Sequence, residues 1–378
     1  AHACQAIRKF DKKGTVTMVG NEQFPPYDRR PLSRQFLGPK PPAIGDLYVN
    51  SQTWYERNRI ELRPGTIATQ LNVERRLAVL DTGQTIEFRK ALLATGSRPK
   101  RPAVAGANLG NIIYLSNVRD ALALRESLAP GGQVVVIGGG VMAAEAAASL
   151  SQAGYRVKLM CREQYLWQKL VDLDTAKWLS ELFEAGGVEL MMNETVNGFE
   201  GKTVLKNIQT KSGQRFAATV ALMVVGTDLN LRLVSNTPLS SPNGTPVTAT
   251  METEEKGIFA AGDIALYPDP FFGSVRRAPY YQNAVEQGEI AGMNMTGRKR
   301  QRYDSLPMFT AELFGMTMNF IGDFSMAPQT VEIDGDHSKK KFTAHYYQGD
   351  KLMGAVLCNQ TPQLVGKVAK QFSRIQRK

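Results

Sequence analysis

The densest chemistry-bearing spacing in the chain lies between Gln133 and Leu150, which reads QVVVIGGGVMAAEAAASL. An apolar strand runs straight into Gly138, Gly139 and Gly140, and a helix of small residues comes next. The pattern is G-x-G-x-x-A, with Ala143 at the third motif position. Gly138 permits the tight strand-to-helix turn, Gly140 lets the backbone approach a bound group, and Ala143 lets the helix lie close to the strand. The start of such a helix presents unpaired N–H groups and the positive end of its dipole. The group it suits is the pyrophosphate of a dinucleotide. A second strand, YRVKLMC from Tyr155, ends at Cys161, Arg162 and Glu163. A carboxylate there accepts hydrogen bonds from a ribose diol, whereas an arginine accommodates a ribose phosphate. Cys161 occupies the strand-end position itself, so the signal is split. Glu163 points to NADH, and Arg162 leaves NADPH open.

Other chemistries are poorly supplied. The chain has three cysteines, Cys4, Cys161 and Cys358, with no CxxC pair, and three histidines, His2, His337 and His345, in no ligand spacing. No metal site or Ser-His-Asp triad is expected, and the thiols are expected to be free. The 378 residues are 43% hydrophobic and carry a net charge of +11. That length and content predict more than one packed domain. No apolar run is long enough to span a bilayer. The basic residues are scattered, with clusters RKRQR at Arg298–Arg302 and KKK at Lys339–Lys341. Without a basic stripe interleaved with aromatics, specific nucleic-acid readout is not expected.

The surrounding elements are read from punctuation and periodicity. AHACQAIRKFDKKG reads as a helix ending at Gly14, and TVTMVG as a strand after it. A Pro-rich, basic, irregular loop covers NEQFPPYDRRPLSRQFLGPKPP. WYERNRIELRPG gives a short helix and a strand, and the next thirty residues or so give three strands with a turn at Thr82–Gly83. NVRDALALRESLAPGG and DTAKWLSELFEAGG are helices with glycine stops. METEEKGIFAAGDIA reads as a strand, and a further helix starts near Tyr281 and stops at Gly297. Strands dominate from Tyr303, including a hairpin with a QGD turn, before a closing basic helix, TPQLVGKVAKQFSRIQRK.

Five ordered segments carry a resemblance. IFAAGDIA (Ile258 to Ala265), ALLATGSRP (Ala91 to Pro99), PPYDRRPLSRQFL, GTDLN (Gly226 to Asn230) and the glycine turn resemble motifs of FAD/NAD(P)-dependent pyridine nucleotide-disulfide oxidoreductases. YDSLPMFTAELFGMTMNFIGD resembles the start of the small C-terminal interface domain of the ferredoxin-reductase-like branch, which includes monodehydroascorbate reductase and apoptosis-inducing factor. The resemblance implies an α/β fold of two Rossmann-like dinucleotide-binding domains of the three-layer ββα type plus a small C-terminal α+β interface domain. It implies a split FAD domain over 1–118 and 242–302, an NAD(P)H domain over 119–241 and an interface domain over 303–378. The first strand and glycine loop of the FAD domain are expected to be missing, because AHACQAIRKF resembles the segment after such a loop. The resemblance further implies hydride transfer from NADH or NADPH to FAD, then electron transfer to a small molecule, a quinone or an iron–sulfur protein. By resemblance, Asp263 binds the FAD ribityl chain, Gly262 allows close approach, Thr95 and Gly96 supply backbone contacts, and Gly226 belongs to the element after the NAD domain. Glu145 matches a glutamate of the NAD helix. Arg34 stands where the family has a lysine near the flavin.

The chain also departs from the family. Pro279 replaces the glutamate of an R-x-x-E element, Thr310 replaces an aromatic by the flavin, and Leu229 replaces a proline. These changes give an alternative expectation, a catalytically degenerate relative serving as a structural subunit of a larger complex. The basic balance and the family suggest a mitochondrial location, with the cytoplasm as the alternative.

Overall fold

In the computed structural model, residues 1–298 and 300–375 are described, so Lys299 of the basic cluster and the last three residues of the closing helix lie outside the described residues. The chain forms two compact units. One contains residues 29–43, 99–228 and 309–378. The other contains 1–28, 44–98 and 229–308.

The first of these is built on a five-stranded parallel sheet. Its order in space is Val188–Met191, Arg156–Met160, Gln133–Ile137, Val220–Met223 and Ile112–Tyr114. Val134, Val135, Val136, Val220, Ala221 and Leu222 are essentially inaccessible. A strand buried on both faces carries a continuous apolar run, which is why VVVI and VALM do not alternate. An antiparallel ribbon of Val196–Glu200, Asn207–Thr210 and Arg215–Ala217 supplies Val196, Phe199 and Ile208 to the core around Val135, Ile137 and Met160. The helix Val141–Gln152 packs against Gln133–Ile137 and Arg156–Met160 through Ala143, Ala144, Ala146, Ala147 and Ala148. The ribbon, the sheet and this helix are the layers expected of a ββα dinucleotide domain. The same unit holds an antiparallel sheet in the order Met308–Leu313, Met316–Gly322, Lys351–Cys358, Lys341–Gln348, Thr330–Asp336. The helix Pro362–Ile375 comes after it.

In the other unit, Val16–Gly20 pairs in parallel with Ile60–Pro64, and Ala91–Leu93 with Ile258–Ala260. The turn at Thr82–Gly83 joins antiparallel strands as expected, with Gly83 at φ +82°. The helix Tyr281–Thr296 ends on Gly297 in the left-handed conformation, the stop the sequence predicted. The helix His2–Phe10 packs against it so closely that a Cβ on Gly292 would lie 2.4 Å from the Ala3 carbonyl oxygen. The strand read from METEEKGIFAAGDIA is confined to Ile258–Ala260, and Gly262–Ile264 forms a 3-10 turn. Among the described residues no helix is long and apolar enough to cross a membrane.

Candidate functional site

The glycine turn sits at the carboxyl end of the central parallel strand. Gly138 has φ +146°, and a Cβ there would lie 2.2 Å from the Val224 carbonyl oxygen. Only glycine fits that space. Gly140 differs. Its φ is −87°, and a Cβ would meet no atom within 4 Å. The fold therefore does not demand glycine there, and the open space in front of it is where a bound group can come close. No side chain caps the helix that begins after Gly140, so its first-turn N–H groups remain for an anion. Elsewhere in the same unit, Val118–Ser127 is closed by an Asn117–Asp120 capping box and Leu173–Ala185 by Asp172. Ala143 is fully buried under the turn. This is a cradle that fits a dinucleotide pyrophosphate.

Glu163 stands over that turn. A Cβ on Gly139 would lie 3.0 Å from its Oε2 and 2.4 Å from Cys161 Sγ. Gly139 is thus required by the carboxylate and thiol above it, a constraint the motif spacing does not contain. The Cys161 thiol donates to Glu163 Oε2 at 3.0 Å, while Arg162 Nε and Lys169 Nζ donate to Oε1 at 3.0 and 2.9 Å. The backbone is fixed as well. Cys161 N–H donates to the Met191 carbonyl, and the Cys161 and Glu163 carbonyls accept from Glu194 and Asn193. Burial opposes the charge on Glu163, but the donors Cys161, Lys169 and Arg162 and the charge of Lys169 outweigh it and hold the carboxyl down to about 2. Burial and the same hydrogen bond push the Cys161 thiol up to about 12, so it remains the donor.

A second charged cluster lies one turn into the motif helix, at Glu145. Arg34 is 8% exposed and Glu145 4%. Arg34 Nε and Nη2 each reach Glu145 Oε1 at 2.8 Å, Nη1 reaches Glu312 Oε1 at 2.7 Å, and Nη2 donates to the Thr310 carbonyl at 2.5 Å. Ser33 Oγ donates to Glu145 Oε2 at 2.7 Å, and Glu312 N–H to Oε1 at 3.2 Å. Burial pushes the Glu145 carboxyl above its ordinary range, against the pull of Arg34, Ser33 and the Glu312 amide. The loop carrying Arg34 is irregular, as its prolines predict, but it is not a solvated surface loop. Leu32, Ser33, Phe36 and Leu37 are all buried. A guanidinium fork reaches these acceptors together, which a lysine ammonium at the same place does not match.

Thr95, Gly96, Gly262 and Asp263 lie in the other unit. Thr95 Oγ1 donates to the Asn230 carbonyl at 2.7 Å, Asn230 Nδ2 returns a bond to the Thr95 carbonyl at 2.9 Å, and Asn230 N–H donates to Gly96 O at 3.0 Å. Gly262 has φ +77°, its N–H held by Gln287 Oε1 at 2.8 Å. Ser97 Oγ donates to Asp263 Oδ2 at 2.5 Å. One carboxylate oxygen is thereby engaged on a rigid 3-10 turn, an arrangement that fits a carboxylate accepting from polyol hydroxyls. Gly226, at φ +101°, is exposed and accepts from Lys100 N–H at 2.9 Å. Of the departures, Pro279 is exposed and Leu229 half-buried. Thr310 turns its hydroxyl to Asn319 at 3.0 Å.

Motif spacing missed Lys169, Glu312, Ser33 and Gly139. Glu312 carried a faint signal, a charge inside the otherwise neutral strand MFTAEL. Lys169 carried none.

The chain belongs to the pyridine nucleotide-disulphide oxidoreductase family, whose sequence pattern matches residues 1–288. Within that family it falls in the ferredoxin-reductase-like branch. It is 30% identical over 322 residues to the benzene 1,2-dioxygenase system ferredoxin–NAD(+) reductase subunit of Pseudomonas putida, spanning 84% of this chain and 77% of that protein. It is 29% identical over 317 residues to a rubredoxin–NAD(+) reductase of Pseudomonas putida, spanning 84% and 82%. The reductase fold is shared with the crystal structure of the covalent putidaredoxin reductase–putidaredoxin complex, at a TM-score of 0.92, 24% identity and coverage of 98% of this chain and 89% of that one.

Proposed function

We propose that this chain is an NADH-dependent FAD reductase that delivers electrons to an iron–sulfur protein of the ferredoxin or rubredoxin type. The observation that carries the reading is the uncapped, glycine-fronted helix start at Gly138–Ala143 with the ionised Glu163 carboxylate fixed above it. The helix start takes the pyrophosphate, and Glu163 takes the adenosine ribose. Bound FAD supplies the step between a two-electron donor and one-electron acceptors. Asp263, oriented by Ser97, offers its carboxylate to the ribityl hydroxyls. Arg34 acts as an anchored cation: four of its five N–H groups are spent on Glu145, Glu312 and the Thr310 carbonyl, and one N–H of Nη1 remains for the flavin edge. The likeness to ferredoxin–NAD(+) and rubredoxin–NAD(+) reductases supports the choice of acceptor, and nothing in it supports the alternative of a structural subunit.

The test is a visible spectrum of the purified protein supplied with FAD, then anaerobic NADH, then ferredoxin or rubredoxin with cytochrome c as the final acceptor. A flavin band that bleaches with NADH, and cytochrome reduction that needs the iron–sulfur protein, are expected. A protein that binds no FAD, or whose flavin survives excess NADH, would sink the reading.

A further inference from the structure

A cavity of about 280 Å³ opens between two segments that lie outside the glycine turn. Residues 168–171 form one wall and residues 323–328 the other, and Tyr346, Gln348 and Met353 complete the lining. The walls are tied in place. Tyr346 donates its hydroxyl to Asp172 Oδ2 at 2.9 Å, and Asp172 caps the helix that follows the first wall. Asp323 N–H donates to the Met353 carbonyl at 2.7 Å, Gln329 N–H to the Tyr347 carbonyl at 2.9 Å, and Gln348 Nε2 to the Ala327 carbonyl. Leu170, Val171, Phe324, Met326, Pro328 and Met353 make most of the lining apolar. Met326 is left 65% exposed. The volume falls just below the range of about 300–1,000 Å³ that takes drug-sized ligands, so the cavity suits a small apolar body. Apart from the Tyr346 phenol, two ionisable groups line it, Lys169 and Asp323. They are not equivalent. Asp323 Oδ1 already accepts the Ser325 N–H at 2.9 Å. Lys169 meets Glu163 at 2.9 Å, but its side chain is 68% exposed and an ammonium carries three donors. An ion pair this exposed breaks easily, so the cation is the group that can turn to a ligand.

We propose that this cavity binds a small apolar carboxylate anion, with its hydrocarbon body against Leu170, Phe324, Met326 and Met353 and its carboxylate on Lys169. Binding there reaches the glycine turn through the same lysine. A carboxylate offers about four acceptor directions, and at Glu163 they already meet the Cys161 thiol, Arg162 Nε and Lys169 Nζ. A ribose diol brings two hydroxyl donors, so one resident must give way. A cavity ligand that draws Lys169 off Glu163 vacates that direction, and the carboxylate and the nucleotide then favour each other's binding. This linkage, unlike the cavity site itself, rests on reading Gly138–Ala143 as a dinucleotide cradle.

The test is calorimetric titration of the full chain with 3-phenylpropionate, hexanoate, 3-phenylpropan-1-ol and 3-phenylpropylamine. At least one of the two acids should bind with a dissociation constant of about 0.1–1 mM, and the acid that binds tells an aromatic body from an aliphatic one. The alcohol and the amine should bind about 5-fold more weakly. Lys169→Gln should weaken the acid by about 5-fold and leave the alcohol unchanged. Ala327→Trp, at an exposed position of the lining, should fill the cavity and remove the binding of acid and alcohol alike. Neither acid bound at about 10 mM, an amine that binds more tightly than the acids, or an acid affinity unchanged in Lys169→Gln or Ala327→Trp would overturn the site. The linkage is tested with 5′-ADP, which carries the adenosine ribose and the pyrophosphate. Saturating acid should tighten 5′-ADP by about 2–3-fold in the unaltered protein and not in Lys169→Gln. A 5′-ADP affinity indifferent to the acid would overturn the linkage. If 5′-ADP did not bind at about 1 mM, the cradle reading and the linkage would fall together, and the direct titrations would still decide the cavity site.

Discussion

Glu145 and Glu163 flank the same turn-and-helix unit, and both are carboxylates met by arginine and by a side-chain hydroxyl or thiol donor. Their acidities move in opposite directions. Glu145 is pushed up by burial although Arg34, Ser33 and the Glu312 amide all favour its charged form. Glu163 also loses solvation, yet three side-chain donors and the charge of Lys169 carry it down to about 2. The balance between desolvation and donors decides the outcome, and the motif alone does not reveal it. At Glu145 the water is gone and one guanidinium is divided between two carboxylates. At Glu163 one carboxylate faces two cations that remain in water. The first arrangement suits a fixed clasp, the second an exchangeable contact with a ligand.

The largest expected effect breaks the clasp. Arg34→Ala leaves Glu145 buried beside Glu312 without its cation, and removing one partner of such a pair costs about 3–5 kcal/mol. Urea unfolding should show that loss, together with slower flavin reduction by NADH in stopped flow. Arg34→Lys restores the charge and the residue type of the family, but an ammonium is a point charge and cannot reach Glu145, Glu312 and the Thr310 carbonyl as a fork does. It should recover stability only in part, remaining about 1–2 kcal/mol below the parent. A loss below about 1 kcal/mol in Arg34→Ala would mean that the cluster is not a clasp.

The two outer glycines of the turn sharpen the same contrast between fold and ligand. Gly138→Ala places a methyl 2.2 Å from a backbone oxygen at φ +146° and should cost about 2–4 kcal/mol. Gly140→Ala meets nothing within 4 Å at an ordinary φ, so its stability should stay within about 0.5 kcal/mol of the parent. Its dinucleotide affinity should nevertheless fall by about 10-fold, because the added methyl stands where the pyrophosphate approaches. A Gly140→Ala protein of unchanged affinity would remove the pyrophosphate from that face of the turn.

The glycine comparison also shows why part of this site was legible in the sequence and part was not. Gly138, Gly140 and Ala143 are read from spacing because the strand, turn and helix that need them are contiguous. The helix stop at Gly297 and the Thr82–Gly83 turn were legible for the same reason. Arg34 was marked by its loop and Glu145 by its helix. Their meeting was not marked, because Arg34 and Glu145 are separated by 111 residues and Arg34 and Glu312 by 278. Lys169 sits in a polar, aperiodic stretch and gains significance only through its 2.9 Å contact with Glu163. Gly139 has no role in the motif spacing, and only the Cys161 thiol and Glu163 carboxylate above it demand a glycine there.

A smaller effect tests the sign of the Glu163 displacement. Its folded value lies below the ordinary carboxylate value, so its stabilising contribution is present above that value and is lost as pH falls toward about 2. Glu163→Gln removes this dependence. The variant should be less stable by about 1–2 kcal/mol at neutral pH, a figure reduced by the exposure of the two cations. The gap should close between about pH 4.5 and pH 2. Glu145→Gln should behave in the opposite sense. The raised pKa of Glu145 penalises the parent above the ordinary carboxylate range, so the parent should lose ground to the variant as pH rises. A gap between Glu163→Gln and the parent that did not change with pH would show that the carboxylate is not held in its charged form.

The smallest effect isolates the thiol. Cys161 contributes one S–H donor to Glu163 Oε2, and the cations on Oε1 do not depend on it. Cys161→Ala should therefore cost only about 1 kcal/mol, below the about 1.5–3 kcal/mol of an ordinary hydrogen bond to a charged group because a thiol is a weak donor. It should also raise the acid midpoint of the Glu163-dependent stability loss, since one of the donors holding the carboxylate down is gone. Cys161→Ser keeps a donor and should return that midpoint toward the parent even if its smaller side chain packs less well. The pair separates positioning from packing. If the thiol only fills space, alanine and serine will lower stability alike and leave the acid midpoint where it was. If it orients Glu163 over the glycine turn, the midpoint and the 5′-ADP affinity will shift in alanine, the affinity by about 3-fold, and recover in serine.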